Sequence, residues 1–328
     1  MMDFKSKIFV TGHTGMMGSA LVRNLVARGY RNLILKTRQE LDLTQQAQVE
    51  QFFQEEQPDY VFLSAAKVGG ILANHTYPAE FIFRNLMIQT HVIDAAYRHS
   101  VKRLLFLGSS CIYPKECPQP MKEEHLLSGY LEPTNEPYAI AKIAGVKMCE
   151  AYNRQYGTQF LSVVPTNLYG EGDNFDLETN HVLPALIRKF HEGCEQGTSV
   201  TIWGTGRPQR ELLYIDDCAE ACVLLMNLPT EPYTKLIRYH TGPLINVGTG
   251  EGLTIRELVK MIKQIVGFEG HVQWDTTKPD GTMKKVLDIS RLHQLGWRPR
   301  FSLRDGIQKT YEYYCQMVCQ MGMMNTIA

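Results

Sequence analysis

The feature that most constrains this chain is a short apolar strand running straight into a loop with three spaced glycines. Lys7-Ile8-Phe9-Val10 leads into Thr11-Gly12-His13-Thr14-Gly15-Met16-Met17-Gly18, and the run SALVRNLVARG that follows has a helical period. A strand, tight turn and helix in that order leave the N–H groups of the first helical turn pointing outward, and glycine lets a pyrophosphate approach them closely. The alternative is a glycine-rich turn that binds nothing, and the flanking strand and helix weigh against it. A dinucleotide cofactor held by Gly12, His13, Thr14, Gly15, Met16, Met17 and Gly18 is the expectation.

Further apolar runs rich in Ile, Val, Leu and Phe alternate with helix-like stretches: NLILKT (32–37), YVFLSAA (60–66), RLLFLGSS (103–110) and FLSVVPTNLYG (160–170). Their hydrophobicity is continuous rather than alternating, which implies strands buried on both faces in a parallel sheet covered by helices. The expected class is α/β, a Rossmann-type doubly wound parallel sheet with a smaller C-terminal substrate-binding domain. After Gly170 the rhythm becomes irregular, with HVLPALIRKFHEG (181–193), VTIWG (200–204) and DDCAEACVLLMNL (216–228), before INVGTG (245–250) restores a strand followed by a helix. Residues 1–170 with a returning segment at about 212–250 are therefore assigned to cofactor binding, and 171–211 with 251–328 to substrate binding.

Lys plus Arg equals Asp plus Glu at 34 each, so there is no global positive field for nucleic acid or anionic lipid, and an anionic ligand must be held locally. Eight cysteines are too sparse for a disulfide-stapled secreted domain. The helical spacing of Cys218/Cys222 and Cys315/Cys319 reads as buried structural thiols, and no metal site is expected. The N-terminus lacks a signal-peptide pattern, and no stretch approaches the ~18 apolar residues needed to span a bilayer. The expected setting is cytoplasmic, with no membrane and no nucleic-acid partner.

The second strand ends in Lys36-Thr37-Arg38. A guanidinium at that position suits a ribose 2′-phosphate and argues for NADP, the alternative being a surface arginine with Asp42 turned to the ribose. Tyr138 and Lys142 form a YxxxK on a helix-like run, placing phenol and ammonium one turn apart on one face. A nearby cation lowers a phenol's pKa and would let Tyr138 exchange a proton with a substrate oxygen. Ser109, at the C-terminal end of a strand, can hydrogen-bond the same oxygen.

Through TGxxGxxG, the strand-end serine and YxxxK, the sequence resembles the extended short-chain dehydrogenase/reductase superfamily. AAKVGGI (65–71), GSSCIYP (108–114), EPTNEPYAIAK (132–142), PTNLYG (165–170), DNF (173–175), HVLPAL (181–186) and KPDGT (278–282) narrow the likeness to the GDP-L-fucose synthase family. The resemblance implies that GDP-4-keto-6-deoxy-mannose is epimerised at C3 and C5 and then reduced at C4 with NADPH. It implies that Ser109 and Tyr138 polarise the C4 oxygen, that Lys142 tunes Tyr138, and that Cys111 and His181 exchange protons at carbon. It further implies that Leu107, Gly108, Lys142, Pro165, Thr166, Asn167, Leu168 and His181 line the cofactor beside Arg38, and that Lys189, Trp203, Arg210 and Asp280 hold the GDP-sugar. Lysine stands at 189 where some members carry arginine, Thr14 where some carry arginine, and the sequence leaves open whether Arg188 or Lys189 faces the diphosphate.

The helix-like stretches 80–97 and 138–152 are apolar nearly all round, which suits packing on the sheet on one side and against a second copy on the other, as a homodimer. A nucleotide-sugar 4-epimerase or 4,6-dehydratase shares the glycines, serine, tyrosine and lysine. Ser-Ser-Cys in place of a dehydratase Thr-Asp-Glu argues against that reading. A non-catalytic NADP-binding protein would have no need of the intact Tyr138 and Lys142.

Overall fold

The computed structural model describes residues 2–177, 181–278 and 280–327. The first half alternates strand and helix: β1 (Ile8–Thr11), α1 (Met16–Ala27), β2 (Leu33–Ile34), α2 (Gln46–Glu56), β3 (Tyr60–Leu63), α3 (Ile71–Thr76), α4 (Pro78–Arg98), β4 (Arg103–Leu107), α5 (Glu136–Tyr156) and β5 (Phe160–Pro165). It continues with β6 (Asn167–Tyr169), α6 (Val182–Gln196), β7 (Val200–Trp203), β8 (Gln209–Arg210), β9 (Leu212–Tyr214), α7 (Ile215–Met226), α8 (Thr230–Ile237) and β10 (Leu244–Val247). Last come β11 (Leu253–Thr254), α9 (Ile255–Val266), β12 (Val272–Asp275), β13 (Lys284–Lys285), α10 (Ser290–Gln294) and α11 (Leu303–Ile327).

The central sheet is wholly parallel, in the order β10-β5-β4-β3-β1-β2. Successive residues of each strand sort into two apolar layers, as double-sided burial requires. Ile8, Val10, Phe62, Leu105, Leu161 and Val163 join α1 and α7 on one side, while Phe9, Val61, Leu104, Phe106, Phe160 and Val164 meet α2, α4 and α5 on the other. Strand order reverses between β1 and β3, and ligands of such sheets bind outside the strand ends at that switch point. A third apolar cluster, with Leu186, Ile187 and Phe190 of α6, Ile202 of β7, Leu258 and Ile262 of α9 and Ile307 of α11, forms beside the sheet.

Three local expectations need correction. NLILKT contributes only Leu33–Ile34 as strand. The run 160–170 is two strands in two sheets: β5 ends at Pro165, the Thr166 hydroxyl turns to donate to the Glu211 carbonyl (3.1 Å), and β6 pairs instead with β9. Cys218 and Cys222 are buried, but Cys315 is half-buried and Cys319 exposed, because the face of α11 that carries them turns from the core.

Close approach of α5 to β4 sets the depth of the helix that carries Tyr138 and Lys142. A Cβ built on Gly145 would lie 2.4 Å from Phe106 Cζ and 3.0 Å from Gln89 Oε1. Gln89 of α4 fixes the same helix by donating to the Ala141 carbonyl at 2.6 Å. Overpacking a core by one methyl costs about 1–3 kcal/mol, against the ~1 kcal/mol that alanine gains over glycine within a helix. Gly145→Ala should therefore lower the melting temperature by several degrees in a thermal denaturation scan, and an unchanged or raised midpoint would refute this account of the packing.

Candidate active site

The glycine loop joins β1 to α1 at the switch point. Gly12 is left-handed at φ +65° and its missing side chain admits Ala65, whose Cα would lie 3.0 Å from a Cβ there. At Gly18 a Cβ would lie 2.0 Å from the Gly12 carbonyl oxygen, so α1 packs against its own loop only without one. Gly15 caps α1 with no side-chain hydrogen bond, and the first turn holds no acid, leaving the N–H groups and the positive end of the helix dipole available to an anion. Thr14 and Gly15 are exposed, Met16 half-buried and Met17 buried. The His13 Nδ1 atom is buried without a hydrogen-bond partner. That orphaned ring nitrogen, beside a loop that a Cβ would fill, fits a loop shaped around a bound group.

Arg38 extends into solvent, 65% exposed, in a loose pair with Asp42 at 3.7 Å. The Asp42 carboxylate already accepts from Thr44 N (3.0 Å) and Thr44 Oγ1 (2.8 Å), which with Arg38 hold it in the ionised form even though burial opposes this. Arg38 is the group with donors to spare, and this geometry favours it over Asp42 as the contact to a ribose phosphate.

Four of the five residues expected to do chemistry meet at the end of β4. Lys142 donates from Nζ to the Leu107 carbonyl at 2.7 Å, with its ammonium 5.8 Å from the centre of the Tyr138 ring. Ser109 Oγ lies 2.9 Å from Cys111 Sγ and accepts from Cys111 N at 3.4 Å, and it hydrogen-bonds the Tyr138 hydroxyl. Gly108 continues the sheet by donating to the Val163 carbonyl at 2.8 Å. Burial pushes Lys142 down to about 8, opposed by the Cys111 thiol beside it.

Tyr138 departs from expectation. Its pKa is raised, because desolvation and the Cys111 thiol outweigh the hydrogen bond from Ser109. The Lys142 ammonium, 5.8 Å from the centre of the Tyr138 ring, gives a hydrogen bond to the Leu107 carbonyl. His181 occupies the N-cap position of α6, and among the described residues no hydrogen bond joins its side chain to the other four. Its pKa lies below the usual imidazole value through desolvation.

On the far side of the sheet edge, Pro165, Thr166, Asn167 and Leu168 form the crossover from β5 to β6. Thr166 N donates to the Val247 carbonyl at 3.0 Å, and Asn167 Nδ2 to the Glu211 carbonyl at 3.1 Å. The four residues expected to hold a nucleotide converge in the lobe built on the third apolar cluster. Lys189 donates to the Thr201 carbonyl at 3.1 Å with its ammonium 5.9 Å from the Trp203 ring, and that indole is 65% exposed, an unusual cost for so large an apolar surface. Arg210 is anchored to the Gln209 and Thr282 carbonyls at 2.9 and 2.7 Å. Desolvation lowers the pKa of both cations, and neighbouring Asp280 partly offsets this at Arg210. Asp280 accepts from Thr205 N and Thr205 Oγ1 at 2.6 and 2.7 Å, closing the turn after Trp203. Arg188 is turned the other way, bonded to Glu192 (2.7 Å) and to the Phe175 carbonyl (3.1 Å), so of the two it is Lys189 that stands on the Trp203 side, where the Lys278 ammonium also lies 5.4 Å from the ring.

Sequence reasoning missed two polar hinges. Thr11 Oγ1 accepts from Ser64 N (3.0 Å) and Ala65 N (2.9 Å), locking the end of β3 against the glycine loop. Glu211, wholly buried, accepts three backbone N–H groups from two loops. The only signal for it was an acid set between Arg210 and the apolar run LLYI.

Residues 8–248 match the family model described as the NAD dependent epimerase/dehydratase family. The chain is similar to GDP-L-fucose synthase 1 of Arabidopsis thaliana, 57% identical over 97% of this chain and 96% of that protein. It is also similar to the GDP-L-fucose synthase of Escherichia coli (strain K12), 53% identical over 95% of this chain and 97% of that one. Among solved structures, a GDP-mannoheptose C4 reductase from Campylobacter jejuni with NADP bound superposes with a TM-score of 0.85 at 44% identity, covering 96% of this chain and 99% of that one.

The buried ammonium makes one test of this geometry possible without any ligand. Lowering of Lys142 from 10.5 to about 8 means that the unfolded chain binds more protons across that window, so stability rises with pH from about 8 to 10.5 and carries the full penalty below it. The penalty is about 3 kcal/mol, less ~1 kcal/mol for the hydrogen bond to Leu107. Lys142→Met should be the more stable protein at pH 7 by urea denaturation, with its advantage shrinking above pH ~8; a pH-independent difference would sink the assignment.

Proposed function

This chain belongs to the NAD dependent epimerase/dehydratase family and, within it, to the GDP-L-fucose synthases, and on that premise we propose that it converts GDP-4-keto-6-deoxy-D-mannose to GDP-L-fucose. The observation that carries the reading is the contact group of Ser109, Cys111, Tyr138 and Lys142 at the end of β4, facing a loop fit for a dinucleotide. Bound NADPH supplies the hydride that reduces C4. Gly12, Gly15 and Gly18 with the first turn of α1 hold its pyrophosphate, and Arg38 holds its 2′-phosphate. Leu107, Gly108 and Pro165–Leu168 would line the rest of the cofactor.

A ketone at C4 acidifies the C–H bonds on both sides of it, so one oxyanion site serves both epimerisations and the reduction. Ser109 and Tyr138 donate to the C4 oxygen and share the enolate charge. Because burial keeps the Tyr138 phenol protonated, it is a proton donor to the C4 alkoxide rather than a standing phenolate. Lys142, its ammonium 5.8 Å from the centre of that ring, is the proton source from which the phenol is restored. Cys111 and His181 remove and deliver protons at C3 and C5. The low imidazole pKa leaves His181 neutral near pH 7, the form that can accept a proton.

Lys189 and Arg210 neutralise the diphosphate, Trp203 packs against the base or sugar, and Asp280 holds the turn that carries Trp203 while keeping free lone pairs for the ligand. Residues 1–170 with 212–250 then form the cofactor-binding domain, and 171–211 with 251–328 the substrate domain. Phe83 of α4 and Ile140 of α5 remain 60% and 42% exposed, which supports a homodimer through these helices. Among the described residues no helix is long and apolar enough to cross a membrane. A cytoplasmic setting suits eight free thiols.

A second reading, C4 reduction without epimerisation, is favoured by the likeness to the GDP-mannoheptose C4 reductase. One substitution tests the reduction that both readings share, and a second separates them. Tyr138→Phe should lower the turnover of NADPH by about 10²- to 10⁴-fold, measured by loss of its absorbance. Cys111→Ala should abolish deuterium incorporation from solvent at the carbons flanking the ketone, followed by NMR, and no fucose isomer should form. NADPH consumption by the wild type with only a deoxy-mannose or deoxy-talose product would leave the reductase and remove the epimerase.

A further inference from the structure

We propose that Glu211 is a positioning residue that aims Arg210 at the diphosphate of the GDP-sugar by clamping the two loops on which Arg210 depends. The proposal rests on the reading of Arg210 as a diphosphate contact. Glu211 is 0% exposed, and its carboxylate is saturated by backbone. Oε1 accepts from Thr249 N (2.6 Å) and Gly250 N (2.8 Å), and Oε2 accepts from Leu287 N (2.6 Å). The carboxylate lies so close to Gly248 that a Cβ there would fall 2.0 Å from Oε1.

Each of those contacts reaches Arg210. The loop 248–250 leads into β11, whose Leu253 pairs with Arg210. Leu287 ends the segment that contains β13, whose Lys285 pairs with Arg210 from the other side, and that same segment begins beside Thr282, the carbonyl that anchors the guanidinium at 2.7 Å. Arg210 is therefore held by two loops that pack on each other, Gly250 toward Ile289 and Gly252 toward Val286, and a single buried carboxylate hydrogen-bonds to both. Through its backbone, Glu211 also accepts from Thr166 Oγ1 and Asn167 Nδ2 (both 3.1 Å), so the clamp is referenced to the cofactor edge of the sheet. An unpaired carboxylate would be a costly guest in that interior, and three N–H donors make it a tolerable one.

An amide at this position can satisfy only one side. If its oxygen faces Thr249 and Gly250, its NH₂ opposes the Leu287 N–H, and the Thr282 anchor of Arg210 loosens. The probe is GDP itself, titrated calorimetrically into the wild type, Arg210→Ala, Glu211→Gln and the double variant, with NADPH affinity and the melting temperature measured alongside. The expected result is that Glu211→Gln weakens GDP by about 10-fold, Arg210→Ala by at least as much, and the double variant by no more than Arg210→Ala alone, with NADPH affinity within about 2-fold of wild type.

Multiplying losses in the double variant, or an equal loss of NADPH affinity, would overturn the proposal by showing that Glu211 acts on the fold generally. Unchanged GDP binding in Arg210→Ala alone would instead overturn the diphosphate reading, and this proposal with it. If Glu211→Gln does not fold, Glu211→Asp, which keeps the charge on a shorter stem, is taken through the same cycle with the same expectation. Loss of the fold in both variants would mark Glu211 as a determinant of folding and refute the positioning role.

Discussion

The 2.7 Å hydrogen bond from Lys142 to the Leu107 carbonyl is the interaction around which the candidate site is built. It takes an ammonium out of water at the C-terminal end of β4, the one place where α5 can present Tyr138 to Ser109 and Cys111. Desolvation opposes it and drives the amine down to about 8. The bond survives because the opposing interactions are built around it. Gln89 fixes α5 at Ala141, and Gly145 lets the helix approach Phe106 without a clash. A structure optimised for stability alone would place an apolar side chain there.

The same economy governs charge in the rest of the molecule. Positive and negative residues balance over the whole chain, so anion binding cannot come from a global field. The groups open to an anion are local: an uncapped, acid-free helix N-terminus at α1, the Lys189 cation beside an exposed Trp203, and the Arg210 guanidinium held by the Thr282 carbonyl. These two positive places lie on separate lobes, and the sheet edge with Ser109 and Cys111 stands between the elements that carry them. Each place has its own polar hinge made through backbone N–H groups: Thr11 holds the end of β3 against the glycine loop, and Glu211 holds two loops against the strand of Arg210.

Much of this was legible from the amino-acid order because the relevant physics is local. Three glycines after an apolar strand, Tyr138 and Lys142 one helical turn apart, and a serine at a strand end each depend on a few neighbouring residues. The errors arose where distant contacts won. The run 160–170 reads as one strand, yet the Thr166 hydroxyl finds Glu211 and the chain changes sheets. Tyr138 reads as an acidified phenol, yet burial raises it. Arg188 and Lys189 are equivalent on paper, and they were separated by Glu192 and the Phe175 carbonyl, which claim the arginine.

Taken alone, the sequence determined the doubly wound class and pointed to the dinucleotide loop and to Ser109, Tyr138 and Lys142, since these follow from periodicity, glycine's lack of a Cβ and spacing along one helix or strand, whereas Cys111 and His181 stood out only through the family resemblance. Tertiary structure decided what those side chains are in the folded state. Protonation depends on how many atoms displace water around a group, direction depends on which carbonyl a donor meets, and both are set by segments far apart in the chain. Glu211 is the clearest case: its one local mark is an acid set before an apolar run, and its three hydrogen-bond donors are N–H groups contributed by residues 249, 250 and 287.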